Sequence, residues 1–397
     1  MDDIMSLSGE LKYLAIFSAV LILPHILLKL KIPSGISALL LGISFVIIDP
    51  AIKTDQLFVF LSQLGITSLF VFSGLEVDFK EFAEHKNYFL KYLTKTVLLL
   101  AIITVALYDF LNLDPQASFL LALGIFTPSA GFIINSLHSY KIGTDMEYWV
   151  KSKAISKEVI AIIFMFFAMQ SGDLKKMVIS TCFFIILFLI LPKVFKIFFK
   201  YISPLTPNLE VPFLVSLSLI AGVLSKAMGA YYLVGAFAVG LIGASFKKDI
   251  FKEDEEVVFK SLSSFFTVFL PFYFFMAGTK LSFSGFDKEA ITLGLLFVLI
   301  FVPIRMMATN TSLRIMLSHV KTHPYSISLS LMPTLIFGLV IAGVLKERSL
   351  AQEYIVYGLI FYTLITSLLP TVVFATQKVM KIEDKIEDKI EEASEHV

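Results

Sequence analysis

A carboxylate inside an apolar segment is the residue of this sequence most suited to chemistry. Glu158 lies in the run YWVKSKAISKEVIAIIFMFFAMQ, nine residues after Trp149. If Trp149 marks the membrane interface, Glu158 lies about 13 Å deep at 1.5 Å per helical residue. A carboxylate at that depth costs several kcal/mol unless it is paired, hydrated or protonated. Since these are also the properties of a proton-binding site, we predict that Glu158 binds a proton and a metal cation in turn.

Two basic residues within apolar segments are predicted to compensate charge near that carboxylate. Lys157 directly precedes Glu158, and Arg305 lies in the apolar run from residue 288 to 312. Lys157 could act at the site or snorkel to the cytoplasmic side, and Arg305 could neutralise a carboxylate or reach the headgroups. A permanent ion pair between Glu158 and one of these cations is the alternative to a proton site.

Proline interrupts two apolar runs at similar places, in Thr127-Pro128-Ser129 and in Met332-Pro333-Thr334. A proline inside a helix removes one backbone donor and frees the carbonyl four residues earlier. In lipid, such groups persist only inside protein or around a wet cavity. A single proline could be a packed kink, but two matched breaks predict a binding site near the middle of the membrane.

The composition explains what must hold these residues in place. Of 397 residues, 57% are hydrophobic and 16% are charged, whereas a soluble protein is nearer half apolar and a quarter charged. About 13 apolar runs are long enough to cross roughly 30 Å of hydrocarbon. They lie at approximately 11–30, 33–49, 55–75, 88–110, 116–137, 148–170, 174–199, 210–227, 229–246, 257–279, 288–312, 322–345 and 351–376. We therefore predict an all-α polytopic membrane protein, with a transmembrane domain at 1–378 and a short charged tail at 379–397.

Charge placement predicts the orientation of the chain. Lys and Arg are roughly twice as frequent in the odd-numbered loops and the tail as in the other loops, which favours a cytoplasmic C-terminus and an outside N-terminus in the plasma (inner) membrane. The formal net charge of +1 gives no indication of nucleic-acid binding, and the six histidines are scattered, so no enzyme site is evident. We expect neither catalysis nor a cofactor.

Two segments match at an offset of about 204 residues, which suggests an internal repeat. FSGLEVDF ends at Phe79 and MAGTKLSF ends at Phe283, so that Gly74 pairs with Gly278. The two proline breaks recur at nearly the same offset. Because this pairing shifts the chain by seven helices, an odd number, the copies must cross the membrane in opposite directions. We predict inverted repeats at roughly 33–200 and 229–378.

Several stretches resemble the monovalent cation:proton antiporters, in particular the Kef and NapA-like branch. The resembling stretches are IPSGISALLLGI, LGITSLFVFSGLEVD, YYLVGAFAVGL, LPFYFFMAGTKLS and LITSLLPTVV, in that order along the chain. The resemblance implies a homodimer, a mobile core domain and two crossed broken helices at the proline triplets. It implies that Glu158 is the essential carboxylate, with Thr127 and Ser129 beside it in the ion site, and that Arg305 is the basic residue of the eleventh span.

One position departs from the family pattern. The family site usually reads Asp-Asp, Asn-Asp or Gln-Asp, whereas Lys157-Glu158 stands here. Glu keeps the carboxylate chemistry with a longer reach, and Lys adds a positive charge where a cation should bind. With one acidic residue in this pair, exchange of one proton for one monovalent cation would move no net charge.

These observations predict a secondary transporter that exchanges Na⁺ or K⁺ for H⁺ by alternating access. Its expected partners are the monovalent cation, protons, the lipid bilayer and a second copy of the chain. Two other functions stay open. The same fold could transport an anion or organic solute through Lys157 and Arg305, or the chain could be a non-transporting membrane sensor or subunit.

Overall fold

The apolar runs fold as helices because a backbone in lipid must satisfy its own hydrogen bonds. The computed structural model describes residues 2–30, 32–77, 79, 86–140, 144–170, 174–206, 209–247, 250, 255–316 and 324–394. Fifteen α-helices organise this part of the chain: α1 (Asp2–Leu27), α2 (Ser34–Ile48), α3 (Gln56–Leu75), α4 (Lys86–Leu111), α5 (Pro115–Phe126), α6 (Ala130–Tyr140), α7 (Thr144–Gln170), α8 (Leu174–Ile197), α9 (Glu210–Ala227), α10 (Tyr232–Ala244), α11 (Glu255–Thr279), α12 (Lys288–Met316), α13 (Pro324–Ser330), α14 (Leu335–Glu347) and α15 (Glu353–Ser394).

Each of the thirteen predicted spans coincides with one helix or with a broken pair of helices. Within the described residues, nine spans are long and apolar enough to cross a membrane by length and composition, and three shorter apolar helices lie at Ser34–Ile48, Tyr232–Ala244 and Val268–Thr279. The remaining predicted span is α7, whose charged residues lower its hydropathy. The fold is therefore the predicted all-α polytopic membrane protein.

The broken helices lie at the centre of the bundle. Within the most apolar 18-residue stretch of each span, 83% of residues are buried in the span that contains α5 and the start of α6, and 94% in the span that joins α13 to α14. By contrast, only 17% of the corresponding stretch in α4 is buried, so most of α4 lies at the outer surface of the bundle. The interrupted backbone is thus enclosed by protein, as a membrane protein requires.

Glycine permits close helix packing at the two positions that the predicted repeat pairs. A Cβ on Gly74 of α3 would collide with the backbone of α10 at Phe237, and a Cβ on Gly278 of α11 would collide with the carbonyl of Leu39 in α2. If an inverted repeat relates α3 to α11 and α10 to α2, the contact between α3 and α10 must recur between α11 and α2. The two glycine contacts agree with this expectation, and the repeat itself stays a prediction.

The predicted tail begins without a break in secondary structure. Helix α15 runs from Glu353 through Ser394, so residues 379–394 continue the last span as helix. The final residues, 395–397, lie outside the described part of the chain.

Candidate functional site: the crossing of two broken helices

Both proline triplets interrupt a helix in the structure. Helix α5 ends at Phe126 and α6 begins at Ala130, which leaves Thr127, Pro128 and Ser129 as the non-helical connection. Helix α13 ends at Ser330 and α14 begins at Leu335, so that Met332, Pro333 and Thr334 lie in the second gap.

Direct hydrogen bonds join the two gaps. The backbone N–H of Ser129 donates to the carbonyl of Pro333 at 2.9 Å. The Ser129 hydroxyl oxygen accepts from the N–H groups of Ile336 at 2.9 Å and Phe337 at 3.1 Å. These amides belong to the first turn of α14, where backbone donors lack partners within the helix. Ser129 therefore caps α14 from the other broken helix, and the predicted crossing is formed.

Arg305 connects the C-terminal ends of α5 and α13, the half-helices that precede the two gaps. Its guanidinium donates to the carbonyls of Leu331 at 3.0 Å and Met332 at 2.9 Å, just beyond the end of α13. It also donates to the Tyr362 hydroxyl at 2.9 Å, which in turn donates to the carbonyl of Ile125 in α5 at 3.1 Å. A cation at helix C-termini is favoured by the helix dipole. Arg305 is buried, and its guanidinium therefore pairs with backbone carbonyls and a tyrosine hydroxyl, not with a carboxylate of the described residues.

Thr334 connects the second gap to the last span. Its hydroxyl lies 3.1 Å from the Thr366 hydroxyl and donates to the Thr363 hydroxyl at 3.5 Å. Both partners belong to α15, and all three residues are fully buried. Thr334 thus helps to fix the position of the crossing relative to α15.

Glu158 is buried, with 1% of its surface exposed. The Ser73 hydroxyl of α3 donates to its Oε2 atom at 3.1 Å. The backbone of Ala130, the first residue of α6, also interacts favourably with the carboxylate. Within the described residues, Oε1 has no hydrogen-bond partner, and no cation lies within 4.0 Å of the carboxylate. The carboxylate thus faces the start of a half-helix with one oxygen held and one oxygen available.

Lys157 points away from the contact that Glu158 makes. Its Nζ donates to the Thr309 hydroxyl of α12 at 3.4 Å, and its side chain lines a cavity together with Arg305 and Thr127. Adjacent helical residues diverge by about 100°, which explains why Glu158 meets α3 while Lys157 meets α12. The two charges of this pair are therefore directed to different neighbours.

Three residues of this region were not found by sequence reasoning. Ser73 and Glu76 lie in the FSGLE stretch that was noted only as a family likeness, and Tyr362 gave no signal because it lies in an apolar run. Glu76 is close enough to Glu158 for the two carboxylates to repel each other. Lys151 and Lys247 attract the Glu76 carboxylate. A second acidic group thus belongs to the surroundings of Glu158.

Comparisons with known proteins agree with this architecture. The sequence matches the family described as sodium/hydrogen exchanger, transmembrane, over residues 15–376. Among solved structures, the sodium proton antiporter MjNhaP1 from Methanocaldococcus jannaschii at pH 8 superposes with a TM-score of 0.64 at 16% identity, covering 95% of this chain and 100% of that chain. An electron-microscopy structure of the same antiporter gives 0.62 at 18% identity, with 94% and 97% covered. No curated protein sequence matches the chain significantly.

At these identities the two structures establish the fold alone, and the Kef and NapA-like branch stays a prediction. The family match, in contrast, extends over nearly all of the thirteen predicted spans. It includes the crossing of the broken helices and the buried carboxylate beside it. The chain is therefore a multi-pass membrane protein of the sodium/hydrogen exchanger family, whose members are transporters.

Proposed function

We propose that the protein exchanges a monovalent cation, Na⁺ or K⁺, for H⁺ by alternating access, with Glu158 as the group that is protonated and cation-loaded in turn. The observation that carries this proposal is the available Oε1 atom of a buried carboxylate at the crossing. An uncompensated charge in such a place is costly. A proton or a cation at Oε1 would remove that cost, and competition between them for one oxygen couples their movements.

The helix ends around Glu158 suit this task. The N-terminus of α6 carries partial positive charge and stabilises the carboxylate between binding events. The C-terminal end of α5, next to Thr127, carries partial negative charge that favours a cation, as unwound helix ends do in other transporters. Thr127 is buried and is our candidate for a further ligand. The Ser129 oxygen already accepts two hydrogen bonds, so its contribution is to hold the crossing in shape.

Access to this site requires a conformational change. A cavity of about 370 Å³ opens at the end of the bundle where α7 and α14 finish, and its lining includes Gln63, Met169, Tyr273 and Arg348. This end carries the even-numbered loops, which we assign to the outside. Among the described residues, neither this cavity nor the one near Lys157 is lined by Glu158. Relative movement of the helices would expose the carboxylate to one side and then to the other.

Transport in reconstituted vesicles tests this proposal. Purified protein in proteoliposomes that contain a pH-sensitive dye should show proton movement when Na⁺ or K⁺ is added. Glu158→Gln should abolish the signal because an amide cannot exchange a proton. Glu147→Gln, nearer the start of the same helix, is the matched control and should keep it. Gel filtration and a thermal melt establish that each variant is folded.

The same assay separates the proposal from its alternatives. Full exchange by folded Glu158→Gln protein would overturn the mechanism. Proton movement that follows an added anion or organic solute, and not a cation, would favour solute transport through Lys157 and Arg305. If folded wild-type protein showed no proton movement with any solute, a sensor or subunit would be favoured.

We also propose a homodimer with the N-terminus outside and the C-terminus in the cytoplasm.

A further inference from the structure

A small cavity on the lipid side of the bundle is lined by cations from three helices. Its volume is about 50 Å³. The four charged groups in its lining are Lys95 of α4, Lys153 and Lys157 of α7, and Arg305 of α12. Among the described residues, no carboxylate lines it. Hydroxyl groups complete the polar lining: Thr96, Thr127, Thr309 and Ser312.

The cations form a column that leads inward from the membrane surface. Lys153 and Lys157 lie one helical turn apart on α7, and Ser312, Thr309 and Arg305 follow each other on one face of α12 at spacings of three and four residues. Lys95 joins the outer end of the column, where its Nζ donates to the Ser312 hydroxyl at 3.1 Å and to the Ala308 carbonyl at 3.4 Å.

These groups repel one another in the protein alone. Lys157 experiences repulsion from Arg305, Lys153 and Lys95. Like charges near each other are costly, and more so where water is scarce. Lys157 also has spare hydrogen-bonding capacity, since an ammonium group carries three donors and its hydrogen bond goes to Thr309. A ligand that brings negative charge and several acceptor oxygens would meet both features.

We infer that this cavity binds a phosphate group, from either a phospholipid headgroup or free inorganic phosphate. The cavity exceeds the roughly 10–15 Å³ that one water needs, so it has room for a group with several oxygens. The non-bridging oxygens of a phosphate group accept hydrogen bonds and therefore match the ammonium and hydroxyl donors of the lining.

The position of the cavity relative to the membrane suits this chemistry. Lys95 lies near the start of the apolar stretch Leu93–Leu111, and Ser312 lies near the end of the stretch Lys288–Leu313. The outer end of the column therefore lies at the level where headgroup phosphates meet hydrocarbon. Helix α4 borders the cavity and exposes Leu98, Ile102 and Val105 to lipid. Phosphate enters either from the leaflet along α4 or from the water at its surface.

A bound phosphate would also explain how a transporter of cations tolerates Lys157. By offsetting the positive charge beside the crossing, it would lower the electrostatic barrier to a cation that approaches Glu158. This consequence for exchange rests on the proposed function, but the binding itself does not. Glu158 does not line the cavity, so Glu158→Gln should bind phosphate as the wild type does.

The test measures thermal stability of delipidated protein in a maltoside detergent, which contains no phosphate. Inorganic phosphate, phosphatidic acid, phosphatidylcholine and, as a control anion, chloride are added separately. A ligand that binds the folded state raises the melting temperature. We expect a rise with at least one phosphate compound and none with chloride. The Lys95→Gln/Lys153→Gln double variant should lose the rise, while Lys196→Gln, an exposed cation in the last turn of α8, should keep it.

The separate additions show whether the bound phosphate is a free anion or a lipid headgroup, and they can also overturn the inference. A rise with inorganic phosphate assigns a free anion, and a rise with the lipids alone assigns a headgroup. No rise with any phosphate compound, an equal rise with chloride, or an undiminished rise in the double variant would each refute the site. If the double variant does not fold, Lys95→Gln replaces it, because this exposed residue can change with little effect on the core. The apparent affinity of Lys95→Gln for the phosphate compound should be at least severalfold lower than that of the wild type. An unchanged affinity would refute the site.

Discussion

The hydroxyl of Ser73 donates a hydrogen bond of 3.1 Å to Oε2 of Glu158. This contact joins α3 to α7 across 85 residues of sequence. It holds one oxygen of the carboxylate in place, while Oε1 has no hydrogen-bond partner among the described residues. A carboxylate that must receive a proton or a cation in a defined position depends on such an anchor.

Ser73→Ala should therefore weaken cation binding more than it weakens folding. A hydrogen bond to a charged group contributes about 1.5–3 kcal/mol, and 1.4 kcal/mol corresponds to a tenfold change in affinity. We expect the KM for the cation in proteoliposomes to rise roughly tenfold. Ser68→Ala on the same helix is the control and should leave KM unchanged. An unaltered KM in Ser73→Ala would show that the anchor has no role in ion binding.

Ser129→Ala should destabilise the crossing. The substitution removes the acceptor for two buried amides of α14, and loss of a helix cap costs about 0.5–2 kcal/mol. The melting temperature in detergent should fall. Ser328→Ala is a sharp control, because Ser328 is equally buried and its hydroxyl has no partner among the described residues. Equal melting temperatures for the two variants would contradict the capping role.

Arg305→Lys tests whether charge or hydrogen-bond geometry matters at the ends of the half-helices. Lysine keeps the charge, but a point-like ammonium cannot reproduce a planar guanidinium with several donors. We expect a loss of stability of about 2 kcal/mol as buried acceptors lose partners. Tyr362→Phe, which removes only the bridge to Ile125, should cost less, about 1 kcal/mol. If Arg305→Lys melts like the wild type, charge alone suffices.

Exchange should be electroneutral if Glu158 is the only group that changes its proton. One proton for one monovalent cation moves no net charge, whereas a charge-moving cycle would respond to voltage at about 2.3 kcal/mol per elementary charge per 100 mV. Sodium-driven proton flux should then be equal in proteoliposomes clamped at two potentials with valinomycin and potassium gradients.

Two groups could carry a second charge: Lys157, which the sequence already indicates, and Glu76, which the structure adds. A voltage-dependent flux would contradict the electroneutral prediction, and variants would identify its source. Loss of the voltage dependence in Glu76→Gln would assign the second proton to that carboxylate. Loss in Lys157→Gln, with no effect of Glu76→Gln, would assign it to the lysine.

Local chemistry determined much of this protein from sequence alone. Apolar runs long enough to cross a bilayer must be helical, because no other single-segment conformation satisfies the backbone in lipid. The matched prolines Pro128 and Pro333 are expected to break their helices, because each lacks a donor that the helix needs and the two breaks recur at similar places. Other prolines, such as Pro271 and Pro303, lie inside continuous helices. The same reasoning identified Glu158, because a carboxylate far inside an apolar run is costly wherever the fold places it.

The partners of these residues were decided by the tertiary structure. Nothing in the sequence distinguishes Ser73 from other serines in apolar runs, or indicates that Arg305 meets carbonyls of Leu331 and Met332 and not a carboxylate. Likewise, Lys157 turns to Thr309 because of how α7 is rotated against α12. Such contacts depend on the relative position of helices that are distant in sequence, whereas depth and helix breaks depend on residues along a single run.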